Sequence, residues 1–372
     1  MRIIIYLSIV IFFSSCSYVD SLFIKEIKTD KIYKSPKISQ KSQNEILVSK
    51  EAKVKTNLVN FQPDKPKEIQ VKPKSNLLIP YKKIAFIGDS HLASDYIPEY
   101  FRKALNIHSL GFVPAILPKW HNQYLADYNN LGFNVEYLIN TKTNLSFGGI
   151  NANCNAKCEI NINLKFKANN VEYLEFKSGI WNIKNYQKNT NQINFSTTAN
   201  KIGGFITNNS SYIDNLGING ASIFNYSRID YNLAKSVAKK LDYDLIIFSF
   251  GTNESVSNKI NQENFINNYL NIIELFKTKK SKIILLIPPE PTLFVNKNYV
   301  KGENNALVKT LIKQVAKTSG VYIFDIDNLM QKEGGKIAWI NDKKSLKNTH
   351  LTKSGYEYVA FRLLEFLKIT KE

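Results

Sequence analysis

The stretch Ile84-Ala85-Phe86-Ile87-Gly88-Asp89-Ser90-His91 decides how the rest of the chain is read. Four apolar residues in a row make a strand buried on both faces, the kind found in parallel sheets. A Gly-Asp-Ser turn ends the run, and a helical pattern follows it. A serine so placed tops a strand and opens a helix, where backbone N–H groups without intrahelical partners point outward. That seat suits a nucleophile whose reaction develops negative charge on a neighbouring oxygen. Gly-Asp-Ser is also an ordinary turn tripeptide, so its meaning depends on what else the chain supplies.

Working outward, Leu245-Ile246-Ile247-Phe248-Ser249-Phe250 repeats the buried-strand pattern and runs into Gly251-Thr252-Asn253-Glu254. Near the C-terminus, Asn348-Thr349-His350-Leu351-Thr352 opens a last helical stripe. Strands are expected at 83–87, 212–216, 245–250, 283–287 and 321–324, with helices at 98–106, 228–241, 262–277, 306–319 and 354–368 between and after them. Strands alternating with helices indicate a parallel sheet covered on both faces. The expected fold is therefore a flavodoxin-like three-layer α/β/α sandwich with its site at the carboxyl ends of the strands.

Between 119 and 211 the pattern changes. Ile160, Ile162, Leu164 and Phe166 alternate with polar residues, and no helical stripe is visible. Short β segments at 145–153, 171–177 and 192–197 predict an antiparallel β-sandwich inserted into the α/β domain. Trp120, Tyr124, Trp181 and Tyr186 are each read either as core packing or as a platform for a sugar ring. Cys154 and Cys158 flank Asn155-Ala156-Lys157, a spacing expected at a hairpin tip. With Cys16 set aside, this pair favours a disulfide in an oxidising compartment, and no histidine or further cysteine stands nearby to complete a metal site.

Ser90, Gly220 within Gly217-Ile218-Asn219-Gly220, Asn253 and His350 follow the order and context of the four signature blocks of the SGNH (GDSL-type) hydrolase superfamily, which this chain resembles. The Gly-Asp-Ser-His first block, Gly111-Phe112-Val113-Pro114 after it, the Gly-Ile-Asn-Gly-Ala second block and the β-rich insertion resemble peptidoglycan O-acetylesterases. The insertion would then correspond to a family 35 carbohydrate-binding module. The resemblance implies acyl transfer from an ester to water without a cofactor or metal. Ser90 would be the nucleophile and His350 the general base, with an oxyanion hole made by the N–H groups of Ser90 and Gly220 and the amide of Asn253. In one respect the chain departs from the family, which places Asp three residues before the histidine; here that residue is Lys347. Either Asp342 reaches His350 as a displaced acid, or a backbone carbonyl holds the second ring proton in a Ser-His dyad, or the protein is a weakened relative.

The N-terminus sets an expected compartment. Arg2 precedes the apolar run 3–13, and Ser14-Ser15 lead to Cys16. The run falls short of the ~20 residues needed to span a bilayer, so it reads as a signal peptide. Small residues before Cys16 resemble a lipobox, implying lipidation of Cys16 and a periplasmic, membrane-anchored lipoprotein. Residues 1–16 are thus expected to be the signal segment with its lipidation cysteine. Residues 17–78, rich in Lys, Ser, Asn, Gln and Pro, would be a tether; 79–118 and 212–372 form the hydrolase domain and 119–211 the insertion. The net charge of +19 comes almost entirely from lysine, the only arginines being Arg2, Arg102, Arg228 and Arg362. Lysine lacks the bidentate fork that favours phosphate, so nucleic acid is excluded as a partner and the O-acetylated glycan strand of peptidoglycan is expected instead. The alternatives are a peptidoglycan O-acetyltransferase and a degenerate cell-wall-binding lipoprotein.

Overall fold

The computed structural model describes residues 80–369 apart from 143, 258, 296 and 297. Cys16, the signal segment, the expected tether at 17–78 and residue 79 lie outside the described residues.

The opening stretch forms β1 (Lys83–Gly88), followed by a single helical turn, α1 (Ser90–Ala93), and by α2 (Tyr96–Leu105). Next come the strands of the insertion: β2 (Phe112–Val113), β3 (Ala126–Tyr128), β4 (Leu131–Tyr137), β5 (Ile150–Lys177), β6 (Ile180–Thr197) and β7 (Lys201–Ile206). The chain returns through β8 (Tyr212–Gly217) to α3 (Tyr231–Leu241), β9 (Leu245–Ser249), α4 (Thr252–Ser255), α5 (Gln262–Phe276) and β10 (Lys282–Ile287). A hairpin of β11 (Thr292–Val295) and β12 (Asn298–Lys301) precedes α6 (Asn305–Ser319), β13 (Tyr322–Asp325), α7 (Ile326–Lys332), α8 (Gly335–Asn341) and α9 (Lys353–Ile369).

The central sheet has the order β13-β10-β9-β1-β8, and every pairing in it is parallel. Because successive side chains of a strand point to opposite faces, β1 feeds two cores. Ala85 and Ile87 pack with Phe248, Leu285 and the apolar faces of α3, α5 and α6. Ile84 and Phe86 pack on the other side with α2, α9 and Trp339. Helices thus cover both faces, as the alternating pattern requires. The strands match their expected ranges to within a residue or two, while α7, α8 and the β11–β12 hairpin were not anticipated.

The insertion differs from the expectation of two packed sheets. It is one antiparallel sheet in which β5 and β6 form a long hairpin through Ser178-Gly179, both at positive φ as a tight primed turn needs. Ile202 of β7 pairs with Ala152 near the start of β5 and with Glu175 near its end. The sheet therefore curls back on itself around its own apolar filling, which includes Ile160, Ile162, Val171, Ile193 and Phe205. It also recruits Phe112–Val113, which precede the expected boundary at 119. Phe112, Phe147 and Leu174 join the core beneath the central sheet, so the two parts share packing.

Cys154 and Cys158 are not at a hairpin tip; both belong to β5. Their sulfurs are 2.03 Å apart and their α-carbons 6.0 Å. Four residues of extended chain would span about 13 Å, so β5 loops out between them. Opposite this loop, the β4 register jumps from Phe133–Cys154 to Leu131–Glu159.

Candidate active site

Close approach of backbones brings the signature blocks together. The main chain stitches the first three: Asp89 N donates to Ser249 O at 3.0 Å, and Ile218 N donates to Gly88 O at 2.9 Å. A β-carbon at Gly88 would stand 2.3 Å from Ser249 O, and one at Gly217 would stand 2.4 Å from Leu92 Cβ. Only glycine lets β1, β8 and β9 end so close to α1. Asp89 caps α1 by accepting from His91 N at 2.9 Å, which fixes Ser90 as the first helical residue.

Across the sheet end, His350 Nε2 lies 2.9 Å from Ser90 Oγ. The histidine loop is tied on both sides of the ring. His350 N donates to Asn348 Oδ1 at 2.9 Å, while Leu346 N donates to His350 O at 3.0 Å. Burial pushes the imidazole down to about 4, with the Lys336 ammonium as a lesser cause. At neutral pH the ring is therefore an unprotonated base facing a hydroxyl, the relation a nucleophile and its base require.

The two remaining block residues are also joined. Gly220 has φ +73 in a turn closed by Ala221 N donating to Ile218 O at 3.1 Å. Asn253 Nδ2 donates to Ala221 O at 2.7 Å. One amide hydrogen of Asn253 thus holds the Gly220 turn, and the other remains for an oxyanion. Ser90 N–H, at the helix start, and Gly220 N–H complete a set of donors of the kind that stabilises a tetrahedral intermediate.

The structure does not bring Asp342 into the pair. It ends α8 with its side chain 51% exposed, and its carboxylate pairs with Lys344 Nζ at 3.5 Å. Lys347 is exposed. On the Nδ1 side of His350, Thr349 Oγ1 stands at 3.4 Å.

Several buried groups escaped sequence reading. Lys336 in α8 is only 5% exposed; its ammonium donates to Asn348 O at 2.6 Å, and burial lowers it to about 8. His91 is buried with its ring centroid 5.6 Å from that of His350 and its Nδ1 3.1 Å from Tyr356 Oη. Burial pushes Asp89 up to about 6 and Glu254 up to about 7; Glu254 accepts from Ile223 N at 2.7 Å. A buried lysine or carboxylate carries no local sequence signal, because tertiary packing alone decides its exposure. Among the described residues, no group of His, Cys, Asp and Glu is arranged to hold a metal, and no helix is long and apolar enough to cross a membrane.

Comparison with known proteins agrees with this geometry. Residues 199–358 match the GDSL-like lipase/acylhydrolase family, a span that contains Gly220, Asn253 and His350 but begins within the insertion and so omits Ser90. No curated protein matches the sequence. Among solved structures, a peptidoglycan O-acetylesterase superposes with a TM-score of 0.68 at 19% identity, covering 78% of this chain and 91% of that one. A lipase/acylhydrolase from Enterococcus faecalis covers 42% of this chain and 75% of its own, at 19% identity and a TM-score of 0.33. An acetylxylan esterase from Geobacillus stearothermophilus covers 42% and 71%, at 14% identity and a TM-score of 0.32. The likeness to the O-acetylesterase speaks for the fold, and the family match over residues 199–358 speaks for the chemistry. The chain is accordingly a carboxylic ester hydrolase that matches the GDSL-like lipase/acylhydrolase family over residues 199–358.

Proposed function

We propose that the protein removes O-acetyl groups from peptidoglycan glycan strands. Support comes chiefly from the likeness in fold to a peptidoglycan O-acetylesterase, which extends over 91% of that enzyme at a TM-score of 0.68. Ser90 Oγ attacks the acetyl carbonyl while His350 Nε2 takes its proton, a step the 2.9 Å contact favours. The carbonyl oxygen gathers negative charge facing Ser90 N–H, Gly220 N–H and Asn253 Nδ2. The intermediate collapses, the sugar oxygen leaves with the proton from His350, and the acetyl group stays on Ser90. Water then attacks the acetyl-serine while His350 takes its proton, and His350 returns that proton to Ser90 Oγ as the acyl bond breaks and acetate departs. Asp342 stands apart from this pair, its carboxylate turned to Lys344 Nζ. Lipidation at Cys16 and a periplasmic location belong to the same proposal, supported by the small residues before that cysteine.

The test is acetate release from O-acetylated peptidoglycan by the wild type, Ser90→Ala and His350→Ala. Each variant is expected to lose at least about a thousandfold, and the double variant little more, because the pair acts as one unit. Full release by a folded Ser90→Ala protein overturns the reading. Acetate passed to a glycan acceptor instead of water would assign the site to a transferase.

A further inference from the structure

Of the four aromatic residues that the sequence left open between core and sugar platform, the structure separates one. Trp181 packs at a tilt against Phe176 at 5.2 Å, Tyr186 packs on Phe195 at 5.6 Å with its hydroxyl bonded to Asn194, and Tyr124 neighbours Tyr96 at 6.4 Å. Trp120 has no such ring partner among the described residues. Its indole is 37% exposed, with the Lys119 ammonium 4.7 Å from the ring centroid.

Two observations argue that this exposure is built. Trp120 has φ +71, a left-handed backbone that a bulky residue adopts only at a cost and that calls for a functional explanation. Its turn is also held by the oxyanion block itself. Asn219 Nδ2 donates to Trp120 O at 2.9 Å, and Asn219 N donates to His121 Nε2 at 3.2 Å. Burial pushes His121 down to about 4, so its ring stays neutral and able to accept that bond at neutral pH. Asn219 immediately precedes Gly220, so the Trp120 backbone is tied one residue from an oxyanion donor. Ile139, also 37% exposed, lies over the same glycine, 3.8 Å from where a β-carbon on Gly220 would be.

The Trp120 backbone and the Ile139 side chain are each placed at the turn that carries an oxyanion donor, next to where the alcohol part of an ester would lie. From this placement we infer that Trp120, together with Ile139, is the subsite that binds the pyranose ring of the ester's sugar. The C–H face of a pyranose meets the electron-rich face of the indole, while its hydroxyls stay in water. The inference rests on the proposed glycan substrate and deepens it by naming the residues that would select a sugar over a simple alcohol.

The experiment compares kcat/KM on 4-nitrophenyl acetate with kcat/KM on O-acetylated peptidoglycan. In Trp120→Ala the polymer-to-small-ester ratio should fall about tenfold, the scale of one well-placed aromatic contact. Trp120→Gly removes the ring and also relieves the left-handed backbone, so it should fold and show the same fall; Trp120→Phe should restore most of the ratio. A ratio unchanged in the Ala and Gly variants, or one that falls equally in Phe, overturns the inference. Sedimentation with peptidoglycan stripped of acetyl groups by mild alkali reads binding apart from hydrolysis. Weaker retention of Trp120→Gly than of wild type supports the subsite, and equal retention overturns it. Wild type that binds stripped glycan through Trp120 yet releases no acetate from the polymer would sink the esterase proposal while leaving the subsite standing.

Discussion

Lys336 presents its positive charge to the histidine whose protonation the reaction requires, so replacing it should raise activity. Burial and the ammonium together take His350 from 6.5 to about 4, and burial is the larger cause. The ammonium therefore accounts for at most about half of that depression, or roughly 1.7 kcal/mol. If all of it is felt when the imidazolium forms in the transition state, Lys336→Met raises kcat by somewhat under ~20-fold near pH 6.5. Since Lys336 itself lies at about 8, the advantage should fade as the wild-type ammonium loses its proton above that pH. The assay is kcat/KM for 4-nitrophenyl acetate from pH 4 to 9.5, corrected for spontaneous hydrolysis. Wild type should rise once through about pH 4, as His350 becomes an unprotonated base, and again near pH 8. The variant should lack the upper rise and show its lower limb at higher pH. Removing the ammonium also leaves Asn348 O without its 2.6 Å donor, at a cost of about 1 kcal/mol of stability; Lys336→Gln, which offers a neutral amide, controls for this. Slower turnover in both variants with the fold intact by circular dichroism would refute the electrostatic account and make Lys336 a support of the histidine loop.

Three further outcomes are expected. Asn253→Ala should lower kcat about 10²-fold with little change in KM, because an oxyanion donor acts in the transition state, and the lost bond to Ala221 O should also lower the thermal midpoint; a change confined to KM would contradict this. Asp342→Asn should keep turnover within about threefold, as fits a half-exposed carboxylate paired with Lys344, and a fall of orders of magnitude would return it to the catalytic group. Asp89, raised from 3.8 to about 6, contributes stability that is full below pH 3.8 and lost as pH rises through 6. Asp89→Asn, which keeps an acceptor for His91 N, should therefore stabilise the protein at pH 8 by up to roughly 3 kcal/mol, read by chemical denaturation at pH 4 and pH 8; an equal gain at both pH values would refute the charge argument.

The parallel sheet was legible because β1, β9 and β10 are buried on both faces and so read as unbroken apolar runs. Ser90, Gly220, Asn253 and His350 were legible only together, through the resemblance of their four blocks to the SGNH signature; taken singly each reads as an ordinary turn or cap residue. Where identity depends on distant partners, reading failed. Nothing local marks Lys336 as buried, and α8 is short and opens on Gly334-Gly335, both at positive φ. The cysteines were placed at a turn because close α-carbons normally need one, whereas β5 makes the approach by looping out within a strand. The insertion's alternation correctly announced strands, but alternation cannot tell one curled sheet from two stacked ones.

The curled insertion also bears on how the chain folds. β1 lies between β9 and β8, and β8 is reached only after the whole insertion has been synthesised. The pairs Phe112–Ile206 and Val113–Phe205 clasp the two ends of the insertion together. Once that clasp forms, the flexible chain separating Gly88 from Tyr212 shrinks from about 120 residues to about 30, which lowers the entropy cost of closure by roughly 1.2 kcal/mol. The strand that carries the nucleophile thus depends on a sheet that takes no part in the chemistry. Substitutions that loosen the β2–β7 clasp would slow assembly of the catalytic pair while leaving the finished site unaltered.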